Sequence, residues 1–140
     1  MNCIEQTAVV GEMPAAAVEE LLDLATTAPI KILNQPKSGL SMMHVLDAYD
    51  SEFLLGEVLV TRAEVELDGL RGFGMVTGDS LDRALARACA EVLLQGKDQL
   101  LKTRVQRLLE REQKNLEAKR QQDKQLIAST KVNFDLLAGS

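Results

Sequence analysis

The dipeptide Asp68-Gly69 lies between two runs that alternate apolar and polar side chains, and no other feature of the 140-residue chain constrains its fold so tightly. Both residues tolerate positive φ, so the pair predicts a two-residue hairpin turn matched to the twist of antiparallel strands. Upstream, Phe53 to Leu67 reads as a long strand. Leu59, Ala63, Val65 and Leu67 share one face; Val58, Val60, Arg62, Glu64 and Glu66 share the other, which turns polar towards the hairpin. Leu70 to Val76 returns beside it. Two shorter strand segments precede the pair, Ile30 to Leu33 and Leu40 to Ala48, divided by turn chemistry in Asn34-Gln35-Pro36-Lys37-Ser38-Gly39. Asp47 to Ser51 reads as the next turn. The expectation is a four-stranded antiparallel meander.

Helices flank this sheet. Pro14 suits a first helical turn, Val18, Leu21, Leu22 and Ala25 form an apolar stripe behind it, and Pro29 closes the segment. Asp79 or Ser80 caps a second helix. Its stripe is Leu81, Ala84, Leu85, Ala88, Val92 and Leu93, with Leu85 expected at the buried centre and Cys89 as a small buried hydrophobe. Gln95-Gly96-Lys97 ends it. Asp98 to Ile127 lacks proline and glycine and is rich in helix formers, with Leu101, Val105, Leu108 and Leu109 in one stripe that fades after Leu116. A helix polar on all sides projects from a body or docks on something else. Thr130 to Ser140 reads as a tail whose Val132, Phe134, Leu136 and Leu137 suit docking. The expected fold class is α+β: a meander with a preceding helix, a packing helix after it, and a long C-terminal helix plus tail. Residues 1–96 form the body and 97–140 a helical arm and tail of one domain.

Composition narrows the function classes. Hydrophobic residues make up 46% and charged residues 26%, enough for a packed core. The four aromatics, Tyr49, Phe53, Phe73 and Phe134, make that core aliphatic and argue against a stacking platform for nucleic acid. No apolar run approaches a membrane span, and the first residues lack the features of a signal peptide, so a cytoplasmic protein with reduced thiols is expected. Charge is unevenly placed: residues 1–70 hold 12 acidic and 3 basic side chains, residues 71–140 hold 9 and 13. Between Lys97 and Lys124 nine basic residues interleave with five acidic ones, which fits a salt-bridged face better than a nucleic-acid surface.

Residues able to carry chemistry are few. Gly72, Gly74 and Gly78 precede a helix, but they start inside a hairpin strand, and Asp79 puts a carboxylate where a phosphate would sit. The better reading is a flat strand face for a helix or a partner backbone. His44 lies between Met43 and Val45 with no nucleophile at a recognisable spacing, so a structural role is expected. Cys3, Cys89 and His44 are too scattered to hold zinc. Glu57, Arg62, Glu64 and Glu66 read as a solvated or partner-facing strand segment.

One ordered set of residues resembles a known family. Leu55-Gly56-Glu57-Val58-Leu59-Val60-Thr61-Arg62-Ala63-Glu64-Val65, then Asp68-Gly69, Gly72-Phe73-Gly74 and Gly78-Asp79, is similar to the G subunit of the bacterial carbon–phosphorus lyase system, PhnG. The Ala84-Arg87-Ala88-Cys89-Ala90 helix and the closing Thr130-Lys131-Val132-Asn133-Phe134 agree with it, over roughly residues 14–137. The resemblance implies a subunit of a core complex with H, I and J subunits, in direct contact with I. With the ATPase-like L subunit, G, H and I turn ATP and a phosphonate such as methylphosphonate into ribose 1-methylphosphonate 5-triphosphate, displacing adenine; J later cleaves the carbon–phosphorus bond. It implies no catalytic residue, metal or cofactor on this chain, and no nucleic-acid or membrane partner. Arg62, Gly72, Gly74, Val132, Phe134, Leu136 and Leu137 are the interface residues expected. A rival reading gives this chain the phosphonate or ATP itself, resting on Arg62 and the Gly72–Gly78 turn. A third makes it a stand-alone homodimeric adaptor.

Overall fold

The hairpin turn forms where the sequence places it. Asp68 and Gly69 both adopt positive φ, 50° and 83°, and Leu67 pairs with Leu70 across them. The computed structural model of the chain describes residues 3–46 and 52–138, with side chains described over 6–42 and 56–129. The elements in order are α1 (Cys3–Ala8), a 3₁₀ turn at Val9–Gly11, α2 (Ala15–Ala25), β1 (Lys31–Leu46), β2 (Glu52–Leu67), β3 (Leu70–Thr77), α3 (Leu81–Gln95) and α4 (Gln99–Ala138). The turn expected at Asp47–Ser51 lies outside the described residues.

The sheet has three antiparallel strands in the order β1-β2-β3, which corrects the expectation of four. Ile30–Leu33 and the described part of the second segment, Leu40–Leu46, do not pair with each other. The residues expected to turn between them continue one strand, and β1 pairs along β2 from Lys31 opposite Glu66 to Leu46 opposite Glu52. Two register slips in β1, between Ile32 and Asn34 and between Asn34 and Lys37, absorb the extra residues as bulges. Pro36 is tolerated because it sits at a bulge on an edge strand, where no ladder hydrogen bond is lost.

Helix α3 holds the molecule together. It rests on β2 and β3 and also contacts α1, α2 and α4. Its sheet side is built from small residues. A Cβ on Gly72 would lie 2.3 Å from the Ala88 carbonyl oxygen, and one on Gly74 would lie 2.1 Å from that of Ala84. The glycines thus let α3 settle with Ala84, Ala88 and Val92 fully buried, opposite Ala63 and Val65. This shifts the buried centre from where the stripe predicts it: Leu85 is only half-buried and Leu81 is exposed.

The sequence reading omits α1 and the 3₁₀ turn. There Val10 and Met13 are buried in the core, and Arg83 of α3 donates from one guanidinium nitrogen to the carbonyls of both. Asp98 caps helix α4 from the position before it, its carboxylate accepting the Leu101 N–H at 3.1 Å. Leu101, Val105, Leu108 and Leu109 are buried, so these first turns of α4 pack on the body. From Glu117 to Ser129 every side chain is exposed. The helix then runs on through Ala138, which corrects the expected tail over Thr130–Ser140. The β-branched residues at Thr130 and Val132 lower helix propensity slightly, but the first strong breaker is Gly139. Arg111 pairs with Glu20 at 2.7 Å and Arg120 with Glu12, so part of the charge imbalance between the two halves is met inside the chain.

Candidate functional site

The face of the sheet turned away from α3 carries a cleft of about 490 Å³. The bulged part of β1, Asn34 to Leu40, forms one wall, and Val60, Arg62, Glu64 and Phe73 from β2 and β3 complete it. Lys37 stands directly opposite Arg62 across the β1–β2 ladder, and both line the cleft. The polar contact of the Arg62 guanidinium is with Ser41 Oγ, at 3.5 Å. Glu64 is engaged elsewhere: it accepts the Asn34 side-chain N–H at 2.6 Å and pairs with Arg71 at 3.9 Å. Phe73 and Met75 on the same face are 51% and 41% exposed.

A second feature is the ribbon beyond the end of β3. Thr77 pairs with Val60, so between Glu52 and Leu59 the strand β2 has β1 as its only described strand partner. Helix α3 begins at Leu81 and does not cover this part, which leaves Leu40 67% and Met42 53% exposed, with Leu59 exposed beside them. The ribbon and the outer half of α4 are two projections from one body. Beyond Leu116 the helix extends about 30 Å, at 1.5 Å per residue.

The expected site residues fall into three groups. Arg62 lies in the cleft. Gly72 and Gly74 are buried beneath α3, so their flat face receives this chain's own helix and no partner backbone. Val132, Phe134, Leu136 and Leu137 belong to the backbone of α4, with side chains outside the described residues. His44 pairs through its backbone with Leu54, and its side chain is likewise outside them. Lys37 and Met75 are absent from the expected set. Lys37 becomes visible as Arg62's opposite number only once Asn34–Gly39 is recognised as strand.

The Gly72–Gly78 run does not form a phosphate cradle. It traverses an antiparallel edge strand, and the turn after it is tied down internally. The Gly78 N–H donates to the Leu59 carbonyl at 2.7 Å, and buried Thr61 donates its hydroxyl to the Gly78 carbonyl at 2.7 Å while accepting the Ser80 N–H at 3.0 Å. Asp79 accepts the Ser38 hydroxyl. Among the described residues there is no group of three or more His, Cys, Asp or Glu placed to hold a metal ion, and no helix long and apolar enough to cross a membrane. Three titrating groups among the described residues are perturbed by identifiable causes, one of them Arg111, which its hydrogen bonds to Glu20 and Glu112 hold more firmly in the charged form. The Arg111 hydrogen bond holds the Glu20 carboxyl below its usual range, and burial pushes the Cys89 thiol up to about 11.

These features define an α+β protein whose chemistry-bearing residues are spread over surfaces and whose apolar projections extend beyond its own core. The family model for the phosphonate metabolism protein PhnG matches residues 5–139, and the chain belongs to that family, a subunit of the carbon–phosphorus lyase complex. Comparison with curated proteins finds no match.

Proposed function

We propose that this chain is an assembly subunit of the cytoplasmic carbon–phosphorus lyase core complex. It stands beside the H, I and J subunits, contacts I directly, and works with the ATPase-like L subunit. Its part is to support the step that makes ribose 1-methylphosphonate 5-triphosphate from ATP and a phosphonate, without supplying a catalytic residue. The observation that carries this reading is the pair of projections. Leu40, Met42 and Leu59 on the ribbon, and Leu126 and Ile127 on α4, are large apolar side chains exposed to solvent in the chain alone. Contiguous exposed apolar surface of this kind marks a protein interface.

Co-expression with the H, I, J and L subunits tests it. The chain should co-purify with the core subunits, and synthase activity of the reconstituted set should require it. The isolated chain should show no calorimetric binding of ATP or methylphosphonate. Saturable binding of either would replace this reading with the one in which the chain itself holds substrate. Purification as a lone homodimer would favour the adaptor reading.

A further inference from the structure

We infer that the Lys37–Arg62 cleft receives an acidic segment of a neighbouring subunit, with one carboxylate seated between the two cations and an apolar side chain laid on Phe73. The inference rests on the chain being a subunit of a complex, and it specifies the chemistry of one contact.

Two cations directly opposite each other on paired strands repel, and such pairs are unfavourable in an isolated sheet. Here they are also improbable on composition. Residues 1–70 hold three basic side chains, Lys31, Lys37 and Arg62, against 12 acidic ones. Two of those three meet at one register position. Neither has an ion-pair partner among the described residues. The carboxylate in the same cleft, Glu64, is already held by Asn34 and Arg71. Two like charges left facing one cleft are complementary to an anion, and a guanidinium favours a carboxylate because it can donate two parallel hydrogen bonds.

The surroundings favour a protein chain over a small anion. Phe73 and Met75 continue the surface as exposed apolar area beside the cations. The cleft wall is β1, an edge strand, which lies open to an approaching chain along its outer side. Arg62 and Phe73 line the same cleft, and arginine and aromatic side chains are the residues enriched at interface centres.

The test uses the full chain in complex with its core subunits. A carbodiimide joins amines to carboxylates at contact distance, so Lys37 should be recovered linked to an Asp or Glu of a partner subunit. Lys37→Arg should assemble normally and lose that link. Arg62→Glu and Lys37→Glu, both at exposed positions, should keep the chain's denaturation midpoint yet weaken assembly by about tenfold or more. Arg62→Lys should retain most of the affinity. Absence of any Lys37 link to a partner, or wild-type assembly of Arg62→Glu, would overturn the inference. Saturable binding of AMP or inorganic phosphate to the isolated chain, abolished by Arg62→Glu, would overturn it in favour of a small anion. If the wild-type chain does not co-purify at all, the subunit reading itself fails and this contact with it; every other negative result leaves the wild-type complex standing.

Discussion

Gly74 lies so close beneath Ala84 that a single added methyl group would fall 2.1 Å from the Ala84 carbonyl oxygen and 2.6 Å from the Ala88 nitrogen. Both obstacles are helix backbone, which cannot swing aside as a side chain can. Gly74→Ala should therefore lift α3 from the sheet and cost about 3 kcal/mol or more, at or above the upper end for overpacked cores. Gly39→Ala is the control, since a Cβ there meets nothing within 4 Å. Urea denaturation of both variants checks the claim, and equal midpoints would refute it.

Thr61 is buried completely and serves three groups: the Gly78 carbonyl, the Ser80 N–H and the Ser38 hydroxyl. Thr61→Val keeps its shape and removes its hydrogen bonds. The stranded backbone groups should lower stability by about 1–3 kcal/mol. Thr61→Ser should recover most of the loss, and a midpoint for Thr61→Val matching wild type would show the turn to be held by other means.

The raised Cys89 pKa makes a prediction with a definite sign. Its thiol ionises near 9.0 when unconstrained and at about 11 in the fold, where burial disfavours the thiolate. The folded state holds the proton more tightly, so this stabilisation is intact below pH 9 and is lost as the pH rises through 11. At about 1.4 kcal/mol per unit, the loss is on the order of 2–3 kcal/mol. The difference in stability between wild type and Cys89→Ala should shrink across that window. A constant difference from pH 8 to 11 would mean that the site is wetter than its burial indicates.

Glu112 is 5% exposed on its side of α4. One carboxylate oxygen is held by Arg111, while the other is buried with no hydrogen-bond partner among the described residues. Arg111 keeps Glu20 if Glu112 is removed. Glu112→Leu, of similar bulk, should thus raise stability by about 1 kcal/mol. A fall in the melting temperature would show that the carboxylate is satisfied in solution.

The outer half of α4 contributes no buried side chain from Glu117 to Ser129. Deleting residues 129–140 should leave the folded body within about 0.5 kcal/mol of wild type, as surface changes generally do. Co-purification with the partner subunits should weaken. A deletion that unfolds the chain would place those residues in its own core, and one that changes nothing would make the end of the helix dispensable.

Much of this architecture was legible because it follows local rules. Positive φ at Asp68-Gly69 placed one hairpin, alternation along β2 separated Ala63, Val65 and Leu67 from Arg62 and Glu64, and the Leu101–Leu109 stripe located the packed part of α4. The misreadings came from non-local context. Asn34 to Gly39 has turn composition, yet sixteen residues of β2 offer a template along which β1 can bulge. Leu85 looked central because leucine outranks alanine in hydrophobicity, whereas the glycines opposite selected the side of α3 with the smallest residues. The cleft was only half visible: Arg62 could be singled out from its strand, but its relation to Lys37 depends on pairing between segments 25 positions apart.

The two bulges in β1 also act as slack in the chain. From Ile32 to Ser38 the strand advances six residues while its partner, from Val65 to Thr61, advances four. Each bulge holds one surplus residue, so the faces stay matched to β2: Asn34, between the slips, meets Glu64 at the cleft, and Lys37, beyond them, meets Arg62 there. Losing one residue between Leu33 and Pro36 would therefore remove one bulge and leave the pairing beyond it in register. Lys37 would still stand opposite Arg62 and Ser38 opposite Thr61. Losing two would leave the same pairs in a ladder without bulges. The segment thus carries a reserve of two residues, and a third deletion is the first that would pull Lys37 out of line with Arg62.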